Sequence, residues 1–290
     1  MPELPEVEVV KRSLEKKILN LRIKKVKIND ENLRYKIDKD NILKLAGKKI
    51  KKIERRSKFL TFKINNNVFM LVHLGMTGKF FFSNELNKKF KTSFYYEINE
   101  IKDLKHDRVI FFFENKRKLI YNDVRKFGFI KVYKKKTEYL KNNHFKNLGP
   151  EPLKKDFNFN YFKTYITNRN RCIKDTLMDQ KCISGLGNIY VNEILFLCRI
   201  KPSRKLNKLK DFEINKIVKN TKKVLKYSIK LGGSSIKNFS SDDGKKGIFQ
   251  QHFKVYGREG EKCSNTDCST IIIRSIISNR SSFFCKRCQK

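Results

Sequence analysis

Nowhere in this chain of 290 residues does an apolar run approach the roughly 18 to 20 residues that a helix needs to cross a bilayer. The N-terminus, acidic and proline-containing, lacks the h-region of a secretory signal peptide. Both absences point to a cytosolic protein with no membrane partner. Acidic residues are scarce: 29 Asp and Glu stand against 68 Lys and Arg, a formal charge of +39. The cations are spread along the chain rather than gathered in one tail, which favours a polyanionic partner, with nucleic acid first. Part of the excess goes with a general richness in Lys, Asn and Ile that codon composition alone can produce. Charge therefore does not by itself separate a DNA enzyme from a ribosome-bound or membrane-surface protein. No internal repeat is present.

The length allows two domains with cores of their own. Leu4, Val7, Val10, Leu14 and Ile18 recur at spacings of three and four, so a helix with one apolar face opens the chain and holds the N-terminus still. Pro5 is tolerated in its first turn. From about residue 22 to 133 the pattern changes to short β-branched and aromatic runs. These include Phe59 to Ile64, Val68 to Leu74, Lys79 to Phe82, Val109 to Phe113 and Phe129 to Tyr133, with polar turns at Asn65 to Asn67 and Glu114 to Lys116. This predicts a β-sandwich or barrel. Lys134 to Leu153, with its Lys run and then Gly149, Pro150 and Pro152, reads as a crossover. Phe162 to Lys181, Ile189 to Cys198 and Phe212 to Leu231 have helical length and periodicity. Gly232 to Gly260, rich in Gly, Ser, Asp and Lys, reads as a loop that orders on substrate. The expected class is α+β and multidomain, with a sandwich domain over 1–133, a linker over 134–153, a helical domain over 154–253 and a C-terminal hairpin over 254–290.

Seven cysteines are present. Cys172, Cys182 and Cys198 are scattered and read as small buried hydrophobes in a reducing compartment. Cys263 and Cys268, then Cys285 and Cys288, form two close pairs separated by an insert of hairpin length. Ile271 to Ile273 and Ile276 to Ile277 supply one strand, Ser278 to Arg280 a turn, and Phe283 and Phe284 a second strand. Four thiolates placed this way close a tetrahedron around Zn²⁺, and the metal substitutes for a core too small to fold alone. Such a site has no open coordination position, so it does not imply catalysis. A pair of disulfides is the competing reading.

The opening Met1-Pro2-Glu3-Leu4-Pro5-Glu6-Val7-Glu8 resembles the start of the bacterial formamidopyrimidine-DNA glycosylases, also called 8-oxoguanine-DNA glycosylases. The resemblance continues through Arg55-Arg56-Ser57-Lys58, His73-Leu74-Gly75-Met76-Thr77-Gly78 and Asp123-Val124-Arg125-Lys126-Phe127-Gly128. It goes on through Ile183-Ser184-Gly185-Leu186-Gly187-Asn188-Ile189-Tyr190 and Val255-Tyr256-Gly257-Arg258, and closes with Arg280 and the four cysteines. It spans the whole chain. It implies a bifunctional glycosylase and abasic-site lyase of base excision repair, with a helix-two-turn-helix in the helical domain and one structural four-Cys zinc. The implied partner is double-stranded DNA containing an oxidised purine, bound by a monomer.

The resemblance implies that Pro2, once Met1 is removed, attacks C1′ of the damaged nucleotide, expels the base and leaves an iminium that allows elimination of the 3′ phosphate. The chemistry suits a terminal amine, whose pKa of about 8 leaves far more neutral base near pH 7 than a lysine at about 10.4. Glu3 matches the acid that protonates the sugar ring oxygen, with Glu6 beside it. Lys58 matches the lysine assisting β-elimination, and Arg280 the hairpin arginine assigned to δ-elimination. Met76, Arg125 and Phe127 match the residues that fill the gap left by an extruded nucleotide. Without the motif, Met76 and Phe127 read as core and Lys58 and Arg280 as solvated surface cations. Leu177 to Cys198 matches the helix-two-turn-helix, with Asn188 at a helix start, and Ser234 to Phe253 the loop closing over the flipped base. His106, Arg169 and Lys174 are carried over as DNA contacts; the role of His73 stays open. The sequence departs from the family where Val124 replaces a proline, loosening the Arg125 loop, and in the four-residue gap between Cys263 and Cys268. An endonuclease VIII-like glycosylase for oxidised pyrimidines and a non-catalytic DNA-binding relative are the rival readings. Leu4 and the Met76, Arg125, Phe127 set favour the purine enzyme.

Overall fold

A computed structural model describes residues 1–83, 89–91, 104–234 and 248–290. It divides into two compact units, Met1–Lys146 with Gly232–Ile248, and Asn147–Leu231 with Phe249–Lys290. Among the described residues no helix is long and apolar enough to cross a membrane.

In the first unit α1 (Leu4–Ile18) buries Leu4, Val7, Val10, Leu14 and Ile18, as their spacing requires. Its apolar face packs into a sandwich of two antiparallel sheets. One sheet runs β1 (Ile23–Ile28), β7 (Asp107–Phe113), β8 (Lys118–Asn122), β5 (Lys79–Ser83) and β6 (Lys89–Lys91). The other runs β2 (Ile50–Arg56), β3 (Phe59–Ile64), β4 (Val68–His73) and β9 (Phe129–Tyr133), with the short α2 (Lys39–Leu43) preceding it in the chain. Val10, Leu14, Ile53, Leu60, Phe62, Phe80, Phe111 and Tyr121 belong to one shared core. Strands β2, β3 and β4 form a meander whose first turn is only two residues, because Arg56 pairs with Phe59. Ser57 turns that corner at φ 57°, a left-handed conformation costing a non-glycine residue on the order of 1 kcal/mol.

The stretch Lys134 to Leu153, read as a plain crossover, carries α3 (Lys136–Leu140) and α4 (Asn143–Lys146). Its aromatics are the cause: Tyr139 stacks on Phe69 with ring centroids 4.6 Å apart and shares a hydrogen bond with Thr61 across the outer face of β3.

The second unit is mainly helical. The single helix expected over Phe162 to Lys181 is two, α5 (Phe159–Ile166), capped by the Asn158 side chain, and α6 (Ile173–Met178). Asn168 adopts φ 61° between them, and the bridge from Cys172 to Lys205 draws the chain off the helical path. α7 (Asn188–Cys198) is buried on nearly every side, so it is the central helix of the unit. The long α8 (Asp211–Lys230) packs against it. Cys172, Cys182 and Cys198 are buried free thiols, as expected. The chain ends in a hairpin of β10 (Ile272–Ile277) and β11 (Arg280–Cys285). Its two turn residues, Ser278 and Asn279, both have positive φ, the geometry that matches the twist of paired strands. Of the loop expected from Ser234 to Phe253, residues 235–247 lie outside the described residues.

Candidate active site and metal centre

The first unit gathers its chemistry around the start of α1. Pro2, Glu3 and Glu6 are buried. Glu3 caps the helix, and its backbone N–H donates to Glu6 Oε2 at 2.9 Å. Glu6 Oε1 also accepts from the Ser234 N–H at 2.9 Å and its hydroxyl at 3.0 Å. Gly233 makes this approach possible: at φ 82° a Cβ would lie 3.1 Å from Glu6 Oε1. The free amine in this structure is that of Met1, the neighbour of Pro2. Burial lowers its pKa, Glu3 and Glu6 oppose the shift, and Lys58 and Arg125 add to it. Those influences place the chain terminus among the same four side chains the sequence singled out.

Lys58 is not the solvated cation that isolated reading suggests: it is buried at the β2–β3 corner. Burial lowers its pKa against the pull of Glu3 and Glu6, so its neutral, proton-accepting fraction rises. Arg55 secures the corner, donating to the Ser57 carbonyl at 3.1 Å and to Glu8 of α1 at 2.9 Å. His73 closes β4 nearby. The Gly75 N–H donates to its Nδ1 at 3.1 Å, and burial, then Lys58, push its pKa down to about 4.

Met76 and Phe127 are exposed, not core, and Arg125 lies 4.6 Å over the Phe127 ring. Two loops carry these residues and are bound to each other. The Thr77 hydroxyl donates to Asp123 Oδ1 at 2.5 Å and accepts from the Arg125 N–H at 3.0 Å. Gly128 N–H donates to Asp123 Oδ2 at 2.8 Å. Gly75, at φ 60°, passes so close that a Cβ would meet the Phe127 carbonyl carbon at 2.4 Å. Asp123 itself is fully buried, and its carbonyl accepts from Arg108 Nε at 2.9 Å. His106, expected as a DNA contact, meets Arg108 through Nδ1 at 3.1 Å, and its carbonyl accepts from the Asp123 N–H. Arg108 in turn reaches Asp30, which also pairs with Lys126. With Val124 in place of a proline, it is this polar network that fixes the Arg125 loop.

In the second unit Asn188 opens α7 and donates to the Ser281 carbonyl of the hairpin at 2.9 Å. Asn192, one turn on, accepts from the Phe283 N–H at 2.8 Å. Arg280 is exposed beside the hairpin turn. Arg169 is exposed and stacked 4.3 Å over Tyr165. Lys174 corrects the expectation of a direct DNA contact: its side chain is wholly buried. Its ammonium donates to the Ser281 carbonyl at 3.0 Å and to Ser282 Oγ at 2.5 Å, and burial brings its pKa down to about 8. It orients the hairpin that carries Arg280. Glu193, which sequence reasoning passed over, accepts from the N–H groups of Lys254, Val255 and Tyr256 and fixes the chain entering the hairpin domain.

The four hairpin cysteines are free thiols whose sulfurs all lie within 4.8 Å of one another. A disulfide needs sulfurs about 2.05 Å apart, whereas Cys268 and Cys285 are 3.6 Å apart and Cys263 and Cys288 3.8 Å apart. Four converging soft donors fit a metal ion and leave it no open position.

The first unit thus brings together a terminal amine under the influence of two carboxylates, a buried lysine of lowered pKa and two hydrogen-bonded loops that expose Met76, Arg125 and Phe127. Residues 1–130 match the formamidopyrimidine-DNA glycosylase N-terminal domain and residues 148–240 the formamidopyrimidine-DNA glycosylase H2TH domain. The chain is 42% identical over 290 residues to a formamidopyrimidine-DNA glycosylase of Rickettsia bellii, covering 100% of both chains. It is 40% identical over 291 residues to that of Rickettsia felis, covering 100% of this chain and 98% of the relative. Among solved structures, a Lactococcus lactis Fpg bound to abasic-site DNA superposes with a TM-score of 0.84 at 34% identity, over 99% of each chain. A point mutant of the same protein bound to Fapy-dG DNA gives 0.85 at 34%, over 100% of each. The chain belongs to the formamidopyrimidine-DNA glycosylase family.

Proposed function

We propose that this chain is a bifunctional glycosylase and abasic-site lyase that removes oxidised purines, 8-oxoguanine and formamidopyrimidines, from double-stranded DNA during base excision repair. The observation that carries the reading is a buried Pro2 whose neighbouring terminal amine, that of Met1, lies in electrostatic reach of Glu3, Glu6, Lys58 and Arg125. After Met1 is removed, the neutral Pro2 nitrogen attacks C1′, the C1′–N9 bond breaks, and the base leaves with the bonding pair. The nitrogen gives up its own proton to the departing base, Glu3 donates a proton to the ring oxygen as the C1′–O4′ bond opens, C1′ becomes an iminium carbon, and the C2′ proton grows acidic. Its loss expels the 3′ phosphate, with Lys58 as the nearby depressed base. Arg280 serves the second elimination, which releases the 5′ phosphate. Met76, Arg125 and Phe127 fill the gap left by the extruded nucleotide; Asn188 and Arg169 engage the backbone, and Lys174 acts through the hairpin.

Residues 1–133 carry the chemistry, 154–253 grip DNA, and 254–290 form the zinc hairpin. Cys263, Cys268, Cys285 and Cys288 would hold one Zn²⁺, whose contribution is to fold the hairpin. The enzyme acts as a monomer on cytoplasmic DNA, with every proposed role on one chain and its thiols free.

The test is borohydride trapping on a duplex with 8-oxoguanine opposite cytosine, comparing the Met1-processed chain with Pro2→Gly and mapping the adduct by mass spectrometry. A covalent link to Pro2 that Pro2→Gly loses is the expected result. Absent adduct and absent excision, with Met1 shown to be removed, would overturn the reading in favour of the pyrimidine enzyme or a binding-only relative.

A further inference from the structure

Within the second unit, α7 separates two ends of different character. Asn188, at its start, holds the hairpin beside Arg280. Ten and eleven residues on, roughly 15 Å away, Cys198 and Arg199 line a cavity of about 430 Å³ at the base of the hairpin. Arg199, Lys216, Arg287 and Lys290 give this cavity four cations. They stand beside Asp267, Glu213, which is paired with Arg204 at 2.8 Å, and the hairpin cysteines Cys268 and Cys288.

Lys216 also begins a second feature. On α8 the exposed residues Lys216, Lys219, Lys223, Lys226 and Lys230 follow one another at steps of three and four, so they form one straight stripe roughly 20 Å long. Beyond Glu213 the helix contains no acidic residue, and Asp211 is paired with Lys163. Like charges at these steps each cost a helix about 0.2 to 0.5 kcal/mol. α1 shows the usual remedy, with Lys11 paired to Glu15 and Arg12 to Glu8. The other face of the helix is buried core, so its lysines are confined to the exposed side, where their charge has no acidic residue of the same helix beyond Glu213 to offset it and runs on to the cations of the cavity. A duplex has about one charge per 1.7 Å of axis, so a stripe of this length lies along roughly a dozen phosphates.

We propose that the cavity and the α8 stripe form a second DNA-binding surface, which takes the phosphate backbone of a separate, undamaged duplex while Asn188 and Arg280 face the damaged one. The proposal rests on the reading of that first site. Holding two duplexes lets the protein pass between DNA segments without dissociating into solvent.

The experiment measures complex stoichiometry by native mass spectrometry, with a lesion duplex and a short undamaged duplex of different mass. Full-length chain is compared with Lys216→Gln/Lys219→Gln/Lys223→Gln/Lys226→Gln and with a control of equal kind on exposed β1, Lys24→Gln/Lys25→Gln/Lys27→Gln. The native chain and the control are expected to carry both duplexes. The stripe variant is expected to carry the lesion duplex alone, with affinity for the second reduced more than tenfold and its salt slope lowered by about 3 to 4. A native chain that holds only one duplex, or a control that loses the second equally, overturns the proposal. If the native chain shows no preference for the lesion duplex but the stripe variant alone still loses one equivalent of undamaged DNA, the second surface stands and the lesion-site reading falls.

Discussion

The imidazole of His73 accepts the Gly75 N–H at Nδ1, which only the neutral ring with its proton on Nε2 can do. It stacks on Phe129 at 5.7 Å, while Lys58, Arg34 and His144 all disfavour its charged form and burial lowers its pKa to about 4. The unfolded chain therefore binds this proton between about pH 6.5 and 4 whereas the folded chain does not. Stability from this site is full above pH 6.5 and is lost as pH falls through that window, by up to about 3 kcal/mol. His73→Asn should flatten the fall in melting temperature between pH 7 and pH 4.5 relative to the native chain. Parallel pH profiles for the two would remove His73 as the cause. None of this was legible in the sequence, where a lone histidine reads as structural: its state depends on Gly75, Lys58 and Phe129 meeting at the end of β4. Pro2 and Glu3 were singled out by the resemblance of the opening motif, whereas the four cysteines were singled out by their spacing. Lys174 was carried over by resemblance as a DNA contact, and its burial was not legible because its partners, Ser281 and Ser282, lie more than 100 residues along the chain.

Elements followed the sequence where one periodicity met one core. α1, α7, α8 and the hairpin did so, each having a continuous apolar face or a strict strand pattern. The split of Phe162 to Lys181 was hidden because Phe162, Ile166, Ile173 and Leu177 stay in helical phase across the break, and the left-handed Asn168 leaves no apolar signature. The pairing of the 74–78 and 123–128 loops was hidden too, resting on one carboxylate. Asp123 accepts from Thr77 and Gly128 at once, and Thr77 passes the constraint to Arg125. Asp123→Asn keeps the shape but turns one acceptor oxygen into a donor against a donor. The expected loss is about 2 kcal/mol, or roughly 30-fold in kcat/KM, if the loops act as one device. Discrimination between cytosine and adenine opposite the lesion should weaken with it, and Thr77→Val should reproduce the pattern more mildly. Lower thermal stability with unchanged opposite-base preference would reduce Asp123 to a folding residue.

For the whole molecule, a formal charge of +39 has two consequences of opposite sign in salt. Self-repulsion among 68 cations and only 29 anions opposes compaction, so screening should raise the melting temperature of the free protein. Binding to DNA draws on the same charges by releasing condensed counterions, so salt should weaken it. Contacts with six to ten phosphates would lower affinity by about 10³ to 10⁵ between 50 and 200 mM salt. Both quantities are measurable in one buffer series, by scanning calorimetry on the free chain and anisotropy on a lesion duplex. Opposed trends mean that the charge destabilises the folded chain and is offset when it binds a polyanion. Should affinity barely fall while the melting temperature still climbs, the excess lysine would be surface composition that phosphate does not use, and DNA would be held chiefly by the few residues around Pro2, Arg125 and Asn188.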